Sequence, residues 1–95
     1  MNKKRSNYIY QLVGIVKEKR KIYRKNGRKG FKIVVNLPNQ PEINWILVYQ
    51  DKIINQQIWK DLEEINFIGK KYLFNCQNHF GNYHLKNWQE LNNHG

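Results

Sequence analysis

Cys76, His79 and His84 stand in a Cys-x-x-His-x-x-x-x-His spacing. Thiolate and imidazole groups at such intervals are donors for zinc, but a structural zinc site takes four ligands and no fourth is evident. The pattern also lacks a second Cys, so no metal or other cofactor is expected. Cys76 closes the apolar run Tyr72-Leu73-Phe74-Asn75-Cys76, and a thiol in apolar surroundings is a poor nucleophile. Ser6 is the only Ser and lies in a basic terminal arm. The sequence holds no phosphate-binding Gly-Lys-Ser/Thr loop and no close acidic pair outside Asp61-Leu62-Glu63-Glu64. A binding domain is expected, not an enzyme.

The abundant chemistry is cationic and aromatic. Over 95 residues, 17 Lys and Arg face 7 Asp and Glu, for a net charge of +10. Twelve of the basic side chains, but only Glu18 among the acids, fall within residues 1–32. So one-sided an excess makes a directed field and points to a polyanion partner. The 13 aromatic residues (six Tyr, four Phe, three Trp) exclude a disordered basic tail. Cations that track phosphates, with rings that offer stacking faces, are what single-stranded nucleic acid requires. A solvated, merely soluble basic surface is the plainer alternative for part of this charge.

The elements that must position these groups follow from periodicity. Residues 8–16 read as a strand, with Gly14 marking a bulge or bend. A polar ribbon from Lys17 to Lys25 extends it to the Asn26-Gly27 turn. Phe31, Ile33, Val35 and Leu37 alternate along a second strand. Asn44–Tyr49 is a third, apolar on both faces, so one face is core and the other covered or functional. Ile54, Ile58, Trp59, Leu62 and Ile65 share one side of a helix over 54–65, whose acids solvate its outer side away from the polyanion. Lys70–Cys76 and Tyr83–Leu91 are strands four and five, joined at a Phe80-Gly81-Asn82-Tyr83 tip. Five strands with a helix after the third is the element order of the OB-fold barrel, an all-β domain. A single domain is expected, with residues 1–6 as a basic arm and 92–95 as a polar tail. No secretory signal or apolar span is evident. The single Cys excludes an internal disulfide.

Several segments are similar to the bacterial single-stranded DNA-binding protein family and to its shorter relative, the primosomal replication protein. These are Leu12-Val13-Gly14-Ile15-Val16, Asn26-Gly27, Asn44-Trp45-Ile46-Leu47-Val48 and Gly69-Lys70-Lys71-Tyr72-Leu73-Phe74. The resemblance spans residues 8–91 and its motifs are short. Closer still is the group of single-stranded DNA-binding proteins encoded in red-algal plastid genomes, which shares the short length and a composition of 14 Asn, 13 Lys and 11 Ile with no Ala or Thr. That resemblance implies a plastid location, with a bacterial cytoplasm as the alternative. It also implies binding of single-stranded DNA in replication, repair or restart, and pairing of copies into a homodimer or tetramer. Two departures stand out. Cys76 occupies a place where the family usually has Gly, and Asn92-Asn93-His94-Gly95 stands where longer members carry an acidic tail.

Trp45, which matches a stacking Trp of the family, leads the candidates for base stacking, followed by Tyr49, Phe80, Tyr83 and Trp88; each could instead serve the barrel core. Trp59, on the apolar side of the helix, is expected to be core. Phosphate contacts are expected from Lys17, Lys19, Arg20, Lys21, Arg24, Lys25, Arg28 and Lys29. An RNA-binding OB protein of the translation apparatus, or a structural adaptor of a nucleoprotein assembly, fits the same charge and rings.

Overall fold

The computed structural model describes residues 8–23, 27–64 and 66–91. Strand β1 (Tyr10–Tyr23) leads through the first hairpin to β2 (Lys29–Asn36), then β3 (Trp45–Tyr49), helix α1 (Gln56–Glu63), β4 (Lys71–His79) and β5 (Asn82–Glu90). The strands close into one barrel in the order β1-β2-β3-β5-β4. All neighbours are antiparallel except β3 and β5, which meet in parallel at Leu47 and His84. This is the five-stranded OB arrangement with the helix between β3 and β4. No helix among the described residues is long and apolar enough to cross a membrane.

β1 serves two neighbours. Tyr10–Ile15 pair with β4, and Ile15–Tyr23 pair with β2. The change of partner falls next to Gly14, where a Cβ would lie 2.2 Å from the carbonyl oxygen of Asn36 and 2.5 Å from Leu37 Cδ2. The first is a backbone atom in a paired strand and cannot step aside. Just beyond, the register shifts between Val16 and Glu18, so Lys17 is an extra, bulged residue. A bulge sharpens the local bend and twist of a strand.

The core lies inside the barrel. Phe31, Ile33 and Val35 of β2 face Ile46 and Val48 of β3, with Phe74, Cys76 and Leu85 from the β4–β5 hairpin. Helix α1 closes one end. Ile58, Trp59 and Leu62 are buried, and the Trp59 ring lies 4.8 Å from Phe31. The helix is shorter than its periodicity suggests because Asn55 accepts a hydrogen bond from Gln57 N at 2.9 Å, capping it at the first turn. Ile54 therefore precedes the helix. It is 72% exposed and does not join the apolar side expected for it; Ile65 lies outside the described residues. β4 runs to His79, beyond the expected end at Cys76, and leaves a tip of two residues, Phe80 and Gly81.

Two outcomes follow. Gly14→Ala should lower stability by roughly 1–3 kcal/mol, the cost of overpacking; a fall in the urea midpoint at constant slope measures it. Burial pushes the Cys76 thiol and the Tyr72 phenol each up to about 12. Both fold best in the neutral form. Their contribution is thus complete below the ordinary thiol and phenol values, near 9 and 10, and is lost as pH rises through about 12. Denaturant midpoints should fall above about pH 9, with Cys76→Val removing the earlier part of the fall.

Candidate nucleic-acid interface

The pairing register sorts the candidate residues by face. Phe31 opposite Val48 and Ile33 opposite Ile46 point into the barrel. Gly30 opposite Tyr49, Lys32 opposite Leu47, and Val34 opposite Trp45 therefore point out. On the same outer face Arg20 lies opposite Lys32, and His84 lies beside Leu47 and opposite Gln77. One row across the barrel thus carries Arg20, Lys32, Leu47, His84 and Gln77.

Trp45 opens β3 at the edge of this face and is 43% exposed. The Lys32 ammonium lies over its ring, 4.4 Å from the centroid. Such a pair is worth about 0.5–1 kcal/mol at an exposed site. It holds the indole while leaving ring surface open. Trp45 also lines a cavity of about 260 Å³ with Ile43, Gly81, Asn82 and Tyr83. The third strand and the β4–β5 tip, distant in sequence, meet here.

Tyr49 takes a different part from the stacking platform expected of it. It is 2% exposed, with the Arg28 guanidinium 4.0 Å above its ring and His84 at 5.7 Å. It packs against Gly30, where a Cβ would come within 2.8–2.9 Å of the ring. Tyr49 is thus a covered floor between the first hairpin and the face. Trp88 points inward and stacks on Tyr72 at 4.1 Å and 14°; it packs on the core and is not presented to a base. Tyr83 is half-buried against the core and edge-on to Tyr10 at 5.4 Å, yet it still lines the Trp45 cavity.

Phe80 is the most exposed of these rings, at 85%. Its φ is 54° and that of Gly81 is 90°, the signature of a two-residue type I′ turn. Asn or Asp is the usual residue there; a bulky one in the left-handed region costs about 1–2 kcal/mol. Asn78 supports the turn by accepting from Gly81 N at 3.0 Å. At 85% exposure the ring buries little against the described residues to offset that strain.

The basic residues divide. Arg20 points outward, bonded to Glu18 at 2.5 Å, and Lys17 stands on the bulge. Arg28 pairs with Asp51 at 3.2 Å. Lys19 departs from the phosphate-binding expectation. It turns inward opposite Ile33 and donates to Leu62 O and to Glu64 O, the latter at 3.2 Å. A cation there complements the C-terminal end of the helix dipole. Burial and Lys21 lower its pKa from the ordinary lysine value, and Glu63 partly offsets them. Lys21 and Lys29 line a separate cavity with Trp59 and Glu63. One helix acid thus faces the basic hairpin, contrary to the expectation that all lie away from it. Arg24 and Lys25 lie outside the described residues.

Cys76 is buried in the core, whereas the His79 and His84 rings sit 4.8 Å apart, on the opposite face of the β4–β5 hairpin. The three therefore do not converge on one point. The sequence reading missed Lys32, which looks like an ordinary outward position of β2; period-two alternation places it outside, but only the register puts it over Trp45. Comparison with protein-family models, curated proteins and solved structures finds no match to this chain.

Replacing Phe80 with Asn relieves the left-handed strain. Phe80→Asn should raise stability by about 1 kcal/mol while weakening any ligand that uses the ring; paired urea melts and binding titrations measure both.

Proposed function

We propose that this protein binds single-stranded DNA with little sequence preference, laying it across the outer face of β2 and β3. The observation that carries this reading is the Trp45–Lys32 pair: an exposed indole with an ammonium 4.4 Å from its centroid, at the edge of the outer face of β2 and β3. A base can stack on the ring while a neighbouring phosphate meets the cation. Arg20 continues the cationic row on one side, and Arg28 and Lys29 mark the hairpin end. At the other end Phe80 extends past Tyr83 as a second stacking surface. Stacking on a ring face and pairing of a cation with a phosphate read no base edge, which is in keeping with low specificity.

A part in DNA replication, repair or restart, a plastid location and pairing of copies belong to this proposal through the family resemblance. Light scattering with and without oligonucleotide measures the pairing.

Oligo-dT should quench tryptophan fluorescence at low salt, and Trp45→Ala should weaken binding by about 1–3 kcal/mol. With Arg20, Lys32, Arg28 and Lys29 engaged, the slope of log K against log salt should be about −3. Absence of quenching, or a Trp45→Ala protein that binds as tightly as the parent, overturns the reading. Matched oligo-U bound more tightly than oligo-dT assigns the face to RNA instead.

A further inference from the structure

A second cavity lies outside the Trp45 face, between the base of the first hairpin and helix α1. Its volume is about 330 Å³, and its walls include Phe31, Trp59, Lys21, Arg28, Lys29 and Glu63. That size falls at the small end of ligand sites, room for one compact molecule and not for a peptide. The back wall is the edge of the core, where the Phe31 and Trp59 rings, each 4% exposed, pack on one another 4.8 Å apart and tilted by 35°. Among the described residues, three cations and one carboxylate line it. The carboxylate is held in place: Glu63 Oε2 accepts the Trp59 indole N–H at 3.1 Å. A carboxylate has about four lone-pair sites, so one such bond leaves it able to accept more.

These groups together specify a ligand class. Lys21, Lys29 and Arg28 suit a phosphate, and the apolar back wall suits the flank of a flat, partly apolar ring. A fixed carboxylate suits a ring edge with adjacent N–H donors. Among the bases, guanine alone offers two such donors side by side, the ring N1–H and the exocyclic N2 amino group. We infer that this cavity binds a single guanine nucleotide, with the base edge on Glu63 and the phosphate on the lysines. The nucleotide can arrive free or as one residue of a strand. Arg28 connects the two sites, since it lines the cavity and also covers Tyr49 on the outer face. The strand-borne case rests on the proposed single-strand binding; the free-nucleotide case does not.

The Trp59 indole N–H is a direct reporter, followed by nitrogen-proton NMR of the full chain and recognised by its shift in Glu63→Gln. Deoxyguanosine monophosphate should move that signal saturably, while the adenine, cytosine and thymine monophosphates and inorganic phosphate should not in the same range. Glu63→Gln keeps an acceptor for the indole but replaces a carboxylate oxygen with an amide donor. It should weaken the guanine nucleotide roughly tenfold or more and leave oligo-dT affinity unchanged. In the strand arm, an oligo-dT carrying one guanine should bind more tightly than oligo-dT, and Glu63→Gln should abolish the difference. Equal responses to all four nucleotides, a response to phosphate alone, or a guanine affinity indifferent to Glu63→Gln overturns the inference. Saturable guanine binding without oligo-dT binding leaves this site standing and sinks the single-strand reading. The reverse pair of results sinks the guanine site alone.

Discussion

Tyr10–Ile15 must pair with β4 while Ile15–Tyr23 pair with β2, so one strand closes the barrel on both sides. The turn from one partner to the other is possible because Gly14 has no Cβ where Asn36 O passes and because the Lys17 bulge steepens the bend. The rest depends on that geometry. The second half of β1 stays in the barrel beside β2 and carries Lys19, Arg20 and Lys21 along it. The hairpin base covers Tyr49 through Arg28, and Lys19 reaches the end of α1. Helix, hairpin and outer face are thus tied to one bend.

The contrast between Trp45 and Tyr49 shows how local packing sets function on one strand face. Each ring has a cation over it, Lys32 at 4.4 Å and Arg28 at 4.0 Å. Tyr49 faces Gly30 across the ladder and sinks against the backbone, while Trp45 faces Val34 and stays proud. Arg28 is also held by an exposed pair with Asp51, whereas Lys32 has no carboxylate ion-pair partner among the described residues. The same pairing of residue types makes a structural floor at one end of β3 and an open surface at the other.

Much of the fold was legible in the sequence. Alternation in Phe31–Leu37, helical spacing in Ile58, Trp59 and Leu62, and the turn signal at Gly81 are local properties of the chain, and the barrel order is built from such elements; Asn26 of the expected first turn lies outside the described residues. Trp59 belongs to the core, as its place on the helix implied. The helix ends and Ile54 were less legible, because a cap at Asn55 outweighs an apolar residue one position before it.

What the sequence by itself determined was the element order, the concentration of cations in the first hairpin, and the aromatic supply of β3 and the β4–β5 tip. Tertiary structure decided which of those side chains face outward. Counting by twos from Val16 would send Arg20 inside and Lys19 outside; the bulge at Lys17 reverses the parity, so Lys19 points in and Arg20 out. In β5 the register shift opposite Asn75 and Cys76 does the same. Tyr83 and Leu85 point inward, and Trp88, which strict alternation would expose, points inward too. A bulge is one residue of extra chain forced by barrel curvature. No single-strand pattern records it, because the curvature exists only once the five strands have closed.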